Sequence, residues 1–185
     1  RFEVCGHKYM DISDYGYGVS LLNDCKYGYN VDNGTMKLSL FKCATYPDPD
    51  ADKGEHVFTY SLFPHAGNYR DAGTVQLAYE INNPLKASLI DKQNGTLPEE
   101  YSFVSCDKDN FIVETVKKAE NSDDIIVRGY ESYNKGTSVT LNFGFDVKEA
   151  ILCDLLERDV EKLTVENNSV NFKAKPFEII TIKVK

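Results

Sequence analysis

The sequence predicts an all-β protein, mostly an antiparallel β-sandwich, with one possible short helix. Short apolar or alternating runs rich in Val, Ile, Tyr, Phe and Thr recur along the 185 residues, and such runs are typical of strands. Gly, Pro, Asn and Asp separate the runs, and pairs such as Asn33-Gly34 favour the left-handed turns of β-hairpins. The even spacing of short strands in the second half indicates a small sandwich there.

The apolar runs place the strands in chain order. The predicted strands are Phe2–Cys5, Gly18–Leu22, Met36–Lys42, Val57–Phe63, Lys86–Ile90, Ser102–Cys106, Phe111–Val116, Ile125–Ser132, Ser138–Phe143, Ala150–Leu155, Leu163–Glu166, Val170–Lys173 and Phe177–Lys183. The predicted left-handed turns are Asp32-Asn-Gly, Gln93-Asn-Gly, Asn134-Lys-Gly and Asn167-Asn. Several neighbouring strands are therefore expected to pair as hairpins.

The segment near 74–83 fits a short helix about as well as a strand. Its apolar residues are Val75, Ala78, Tyr79 and Ile81. Thr74 can act as the N-cap, and Asn82-Asn83-Pro84 can end a helix. We predict a short helix here.

A domain boundary is predicted between Pro84 and Pro98, where Asn-Gly and Leu-Pro-Glu-Glu interrupt the apolar pattern. It divides the chain into residues 1–97 and residues 98–185, each expected to form a β-sandwich. The chain begins with Arg1 rather than Met, and the next four residues have the pattern of a strand interior. We therefore expect a fragment of a longer protein whose first domain lacks upstream strands.

Composition and charge exclude several functional classes. Hydrophobic residues make up 42% and charged residues 27% of the chain, which is unlike a disordered protein. The formal net charge is -8 and the basic residues are scattered, so we expect neither nucleic acid nor a membrane as partner. Five cysteines without a Cys-x-x-Cys pair indicate free thiols in a reducing cytoplasm.

No motif for a metal or a nucleophile stands out. The loop Asp48–Asp52 carries alternate carboxylates, but Lys53 and Thr59 stand where an EF-hand has Gly and Glu. His56 and His65 are nine residues apart, too far to ligate one metal from a single extended segment. The chain also lacks Gly-x-Ser-x-Gly and a phosphate-binding glycine loop. These patterns identify no metal site, and they single out no catalytic residue.

Tyrosines cluster in the loops of the first half, at Tyr15, Tyr17, Tyr27 and Tyr29. A flat ring with a polar tip, close to Asp and Asn, suits the apolar face and hydroxyl edge of a sugar. Aromatic residues also fill pleated sheet surfaces, which is the more common role for any single tyrosine. The sequence therefore leaves sugar contact and sheet packing open for these residues.

Several long motifs resemble the C-terminal region of glycoside hydrolase family 38 α-mannosidases, in the branch of bacterial and cytosolic or vacuolar-type enzymes. In the first half they are Phe2-Glu-Val-Cys-Gly-His-Lys-Tyr, Gly16-Tyr-Gly-Val-Ser-Leu-Leu-Asn-Asp-Cys-Lys-Tyr-Gly-Tyr, Tyr46-Pro-Asp-Pro, Gly54-Glu-His-Val-Phe-Thr-Tyr-Ser-Leu-Phe-Pro-His-Ala-Gly and Asn82-Asn-Pro-Leu. In the second half Ile126-Val-Arg-Gly-Tyr-Glu-Ser-Tyr-Asn and Pro176-Phe-Glu-Ile-Ile-Thr-Ile resemble the family's terminal β-sandwich.

The resemblance implies a parent enzyme that is a zinc-dependent, retaining hydrolase of terminal α-mannosides. In such an enzyme an Asp attacks the anomeric carbon and a second carboxylic acid protonates the leaving oxygen. The zinc, held by His and Asp, belongs to the N-terminal part of the family, whose His-x-Asp motif is absent here. The expected partners are the catalytic domain of the same polypeptide and a mannose-containing oligosaccharide.

The resemblance also suggests which residues lie nearest the substrate: Asp24, Lys26, Tyr27 and Lys42. Relatives often have Arg where this chain has Lys42, which keeps the charge but lacks the bidentate fork of a guanidinium. The predicted role is non-catalytic, packing on the catalytic domain and helping to shape its pocket. The alternative is a free-standing carbohydrate-binding β-sandwich module, against which the lack of Trp counts.

Overall fold

A computed structural model describes residues 3–185. By its internal contacts the chain forms two compact units, Arg1–Ile90 and Asp91–Lys185. Both are built from antiparallel strands, and one short helix lies in the first unit. The all-β prediction with one short helix is therefore confirmed. The predicted strand Phe2–Cys5 begins outside the described residues.

The first unit contains two three-stranded sheets and the helix. Its elements are β1 (Val4–Cys5), β2 (Tyr9–Ser13), β3 (Tyr17–Asn23), β4 (Gly28–Asp32), β5 (Thr35–Ser39), β6 (Tyr60–Ala66) and α1 (Thr74–Asn82). One sheet has the strand order β1-β4-β5 and the other has the order β2-β3-β6. The hairpin β4–β5 turns at Asn33 and Gly34, both with positive φ, as the Asn-Gly pair predicts.

A small core joins the two sheets of the first unit. Met10 of β2 and Leu21 of β3 pack with Tyr29 of β4, and Met36 and Leu38 of β5 pack against this cluster. The alternation of buried and exposed residues along each strand places these five side chains on facing sides of the two sheets. Together the two sheets form a thin sandwich.

Helix α1 packs across the other face of the β2-β3-β6 sheet. Its N-cap is Gly73, which has a positive φ, and no side chain caps the helix there. The prediction of Thr74 as N-cap is therefore wrong: Thr74 is the first helical residue and fully buried, and its hydroxyl bonds to Ser20 of β3 instead. The helix ends at Asn82, and the Asn83 N–H donates to the Tyr79 carbonyl at 2.8 Å, as the Asn-Asn-Pro signal predicts.

The second unit is a sandwich of a four-stranded and a five-stranded sheet. Its elements are β7 (Val104–Cys106), β8 (Phe111–Lys118), β9 (Ile125–Glu131), β10 (Thr137–Phe143), β11 (Ala150–Cys153), β12 (Asp159–Leu163), β13 (Val165–Glu166), β14 (Ser169–Ala174) and β15 (Ile179–Val184). The strand orders are β13-β14-β10-β7 and β12-β11-β15-β9-β8. Val139, Leu141 and Val170 of the smaller sheet share one core with Val127 and Ile182 of the larger.

The sequence analysis misses three strands, and two predicted features do not form. Strands β2, β4 and β12 were not predicted, since their residues mix apolar side chains with Asp, Asn, Glu or Lys. Residues Lys86–Ile90 have a strand-like pattern but form exposed coil, because no strand among the described residues pairs with them. Asn94 and Gly95 do not form the predicted left-handed turn.

No helix in residues 3–185 has both the length and the apolar character needed to cross a membrane.

Candidate functional site

The turn that follows β3 carries three of the four predicted site residues, and Asn23 holds it in shape. The Asn23 side-chain oxygen accepts hydrogen bonds from the N–H groups of Cys25 at 3.1 Å and Lys26 at 2.6 Å. An Asn that ends a strand and bonds two and three residues ahead forms an Asx turn. The Asn23 side chain therefore fixes the backbone at Cys25 and Lys26.

Asn23 is fully buried, and each of its polar groups has a partner. Its amide nitrogen donates to the Tyr29 hydroxyl, and its backbone N–H donates to the Lys8 carbonyl at 2.8 Å. Its carbonyl accepts from the Asn82 amide at the end of α1, at 3.0 Å. One residue thus connects β3, β4 and α1 to the turn.

Asp24 is held against the segment that precedes β6. The Thr59 N–H donates to Asp24 Oδ1 at 3.0 Å, and the Asp24 N–H donates to the Thr59 carbonyl at 3.2 Å. A hydrogen bond from the Cys25 thiol and the bond from the Thr59 N–H keep the pKa of Asp24 below its ordinary value. Asp24 is therefore an ionised hydrogen-bond acceptor at neutral pH, unsuited to the role of a general acid.

Lys26 and Tyr27 complete the turn. The Lys26 ammonium lies 4.9 Å from the centre of the Phe58 ring, a cation–π contact that limits its motion. The Tyr27 ring packs at a tilt on His7, with 4.8 Å between ring centres, and 47% of the residue is exposed. The turn therefore presents a carboxylate, an ammonium and a phenol that are each anchored to a neighbour.

Lys42 does not join this group. It lies exposed in coil beyond β5. Within the described part of the chain no hydrogen bond, ion pair or ring contact connects Lys42 to the turn. The structure thus brings together Asp24, Lys26 and Tyr27 and leaves Lys42 apart from them.

A buried polar cluster beneath α1 contains the residue types of a hydrolytic triad in a different arrangement. Asp11 Oδ2 accepts from the Ser20 hydroxyl at 2.7 Å and from His65 Nε2 at 2.8 Å. The Ser20 hydroxyl also bonds to the Thr74 hydroxyl at 2.7 Å. A nucleophilic Ser must bond to the His, whereas here both bond to the carboxylate, and Ser20 is fully buried. The cluster fastens α1 to its sheet.

The residues that the structure describes do not fit a zinc ion. No group of three or more His, Cys, Asp or Glu side chains in residues 3–185 could hold a metal. In the acidic loop, Asp50 pairs with Lys53, Asp52 accepts from the Ala44 N–H at 3.1 Å, and the His56 ring bonds to the Asp52 carbonyl.

Asn23 organises the turn but is not among the predicted site residues. The signal was present in Leu22-Asn23-Asp24, where an apolar strand runs into two residues that favour Asx turns. The role of Asn23 depends on its hydrogen bonds to Tyr29 of β4 and to Asn82 of α1. The sequence pattern around Asn23 does not reveal these two partners.

Comparisons with known proteins agree on one family. The model of the glycosyl hydrolases family 38 C-terminal domain matches residues 1–50, and that of the family 38 C-terminal beta sandwich domain matches residues 110–182. A solved family 38 glycosyl hydrolase from Enterococcus faecalis matches 99% of this chain and 22% of its own, with a TM-score of 0.78 and 21% identity, and so shares the fold.

Two relatives match nearly the whole chain in sequence. Human Alpha-mannosidase 2C1 is 40% identical over 98% of this chain, and Alpha-mannosidase G of Dictyostelium discoideum is 38% identical over 99% of it. The chain spans only 18% and 17% of the lengths of these relatives. It belongs to the C-terminal β region of the glycoside hydrolase family 38 α-mannosidases.

Proposed function

We propose that the chain is the non-catalytic C-terminal β portion of an α-mannosidase that hydrolyses terminal α-mannosides with retention. In this role it packs on the catalytic domain of the same polypeptide and helps to shape the substrate pocket. The observation that carries the proposal is the 40% identity over 98% of the chain to a much longer α-mannosidase.

The turn of Asp24, Lys26 and Tyr27 is the part of the chain proposed to reach the substrate. Its ionised carboxylate can accept hydrogen bonds from sugar hydroxyls, and its ammonium can donate to them. The half-exposed Tyr27 ring can pack on the apolar face of a sugar. Because Asn23 fixes the turn from below, these groups are positioned before substrate binds. Lys42 stays a predicted contact that depends on the parent enzyme.

The hydrolytic chemistry is assigned to residues outside this chain. The zinc and the two carboxylic acids of a retaining mechanism are proposed to lie in the catalytic domain, consistent with the absence of a fitting ligand group in residues 3–185. A mannose-containing oligosaccharide is the proposed substrate, and the cytoplasm the proposed location.

An activity assay of the chain alone tests the non-catalytic assignment. The 185-residue chain and the full-length polypeptide are incubated with an aryl α-mannoside in the presence of zinc. We expect turnover by the full-length polypeptide and none by the chain. Robust turnover by the chain alone would contradict the assignment.

A carbohydrate-binding module is the second candidate, because several tyrosines of the first unit are exposed. Tyr15 is 101% and Tyr17 59% exposed, and Tyr15 borders a cleft of about 370 Å³ with Tyr69 and Arg70. Mannose-oligosaccharide binding by the chain alone, lost in Tyr15→Ala or Tyr27→Ala, would favour this module.

A further inference from the structure

Strand β6 is an edge strand whose outward backbone groups can be identified. It is the last strand in the order β2-β3-β6. The Asp24 N–H donates to the Thr59 carbonyl at 3.2 Å, and the Gly67 N–H donates to the Gly16 carbonyl at 3.1 Å. Hydrogen-bonded and non-bonded pairs alternate in an antiparallel ladder. The backbone N–H and C=O groups of the even-numbered residues of β6 therefore point away from β3. The outward N–H groups are those of Tyr60, Leu62 and Ala66.

Pro64 supports this assignment. It pairs with Val19 and has no N–H, so it can occupy only a position whose N–H is not needed by the neighbouring strand. Its place among the outward residues satisfies that condition. The sequence predicts that this strand ends at Phe63. Because the missing N–H of Pro64 would point away from β3, β6 instead continues through Pro64 to Ala66.

The outward half of β6 also carries uncovered apolar side chains. Leu62 lies opposite Leu21 on the same face of the sheet. Leu21 is 7% exposed because the β4–β5 hairpin covers it, whereas Leu62 is 65% exposed. Tyr60, two residues away on that face, is 56% exposed. The β1-β4-β5 sheet therefore covers the side chain of Leu21 on β3 but leaves Leu62 and Tyr60 on β6 exposed to solvent.

An apolar groove lies along the same edge. Its volume is about 380 Å³, and its lining residues are Leu22, Ser61, Leu62, Phe63, Leu77, Glu80 and Ile81. Leu77, Glu80 and Ile81 belong to α1, so strand and helix together form the groove. The edge of β6 thus offers apolar contacts as well as unpaired backbone donors.

Proteins usually protect such edges with charged side chains, bulges or a covering element. Strand β6 has no charged residue other than a histidine, His65, which is buried against Asp11. Only Pro64 interrupts its outward row of donors. A row of free donors beside Leu62 and Tyr60 is a template for a further strand.

We propose that an extended apolar segment of the parent polypeptide, from outside these 185 residues, pairs with the free edge of β6 and contacts Leu62 and Tyr60. The inference rests on the proposed function insofar as that assigns the chain to a longer polypeptide. Relatives that match nearly all of this chain are more than five times its length, which supplies the material for such a segment. The side chains of the added strand that lie on this face contact Leu62 and Tyr60 as cross-strand neighbours.

Amide hydrogen exchange in the full-length polypeptide tests the pairing. We expect the Leu62 and Tyr60 N–H groups to exchange as slowly as those of Ser61 and Phe63, which bond to β3. Exchange of Leu62 at the rate of an unstructured amide, with Phe63 protected, would overturn the proposal. Protection of Leu62 that disappears when a dimer is diluted to monomers would also overturn it, because the occupant would then be a second copy.

A pair of substitutions adds a second measurement. We expect Leu62→Lys to lower the unfolding temperature of the full-length polypeptide by several degrees and to speed exchange at Tyr60. The matched control Leu89→Lys, at a site 105% exposed in coil, should change neither quantity. Equal effects of the two substitutions would contradict the pairing. Both readouts are independent of mannoside turnover, so they can fail or succeed separately from the proposed function.

Discussion

The side chain of Asn23 accepts a 2.6 Å hydrogen bond from the backbone N–H of Lys26. This bond makes the turn after β3 a rigid feature, although the turn lies at the surface. Asn23 also bonds to Tyr29 and to Asn82, so the shape of the turn depends on two other elements. Surface geometry and core packing are therefore coupled at this residue.

Replacement of Asn23 by Ala should disturb both stability and the turn. The Tyr29 hydroxyl would lose its buried partner, and an unsatisfied buried polar group costs about 1–3 kcal/mol. We expect a loss of unfolding free energy in that range, measured by denaturant unfolding of the chain. The control is Asn83→Ala, because Asn83 is exposed and bonds only within the last turn of α1; a loss as large in the control would contradict the assigned role.

Gly18 has no room for a side chain. A Cβ atom there would lie 2.3 Å from His65 Cε1 and 2.5 Å from Ser13 Cβ. Such overlap forces the buried His65 away from Asp11 and typically costs about 1–3 kcal/mol. We predict that Gly18→Ala lowers the thermal stability of the chain.

Gly16 provides the matched control for this substitution. A Cβ at Gly16 would meet only Asp14 Oδ1, at 3.6 Å. Gly16→Ala should therefore leave the unfolding temperature nearly unchanged. If Gly16→Ala destabilised as much as Gly18→Ala, the space around Gly18 would not explain the effect.

Glu131 is a fully buried carboxylate that joins three loops of the second sandwich. It accepts from the N–H groups of Tyr133 at 2.7 Å, Phe177 at 3.0 Å and Lys135 at 3.1 Å, and from the Asn110 amide at 2.8 Å. Burial alone would raise the pKa of Glu131, but these hydrogen bonds outweigh it and lower the pKa below its ordinary value.

The lowered pKa fixes the sign of a pH effect. The ionised carboxylate stabilises the fold above the unfolded-state pKa of Glu, about 4.3, and this stabilisation is lost as the pH falls through the folded-state value. We predict that Glu131→Gln lowers the free energy of unfolding by about 2 kcal/mol at pH 7. This is the typical contribution of a hydrogen bond to a charged group. The difference from the parent chain should shrink below about pH 4.

Urea unfolding at a series of pH values measures this difference. Glu166→Gln serves as the control, since Glu166 is exposed on the short strand β13. The control should show no such pH-dependent difference. A Glu131→Gln penalty that stays constant down to pH 3 would show that charge plays no part.

Local sequence patterns predicted most of the second unit, because its strands bury apolar residues on one face and pair with one another within the chain. They also predicted the Asn33-Gly34 turn, whose conformation depends on two residues alone. They failed where a neighbouring strand determines whether a segment becomes a strand. Strand β4 forms because β1 and β5 pair with it, whereas Lys86–Ile90 stays coil because no described strand pairs with it.

The sequence predicted part of the candidate site. Motif resemblance selected Asp24, Lys26 and Tyr27, which the structure places on one turn. It also selected Lys42, which the structure does not bring to them. The contribution of Thr59 to Asp24 could not be predicted, because the two residues are 35 positions apart and meet only when β6 pairs with β3.

If the turn contributes to mannoside recognition in the parent enzyme, Asp24→Ala in the full-length polypeptide should weaken catalysis. The measurement is kcat/KM on an aryl α-mannoside, with circular dichroism as a check of folding and Asp32→Ala, an exposed residue of β4, as the control. A lost hydrogen bond to a charged group costs about 1.5–3 kcal/mol, so we expect kcat/KM to fall about ten- to a hundredfold. Unchanged kcat/KM in a folded Asp24→Ala enzyme would contradict it.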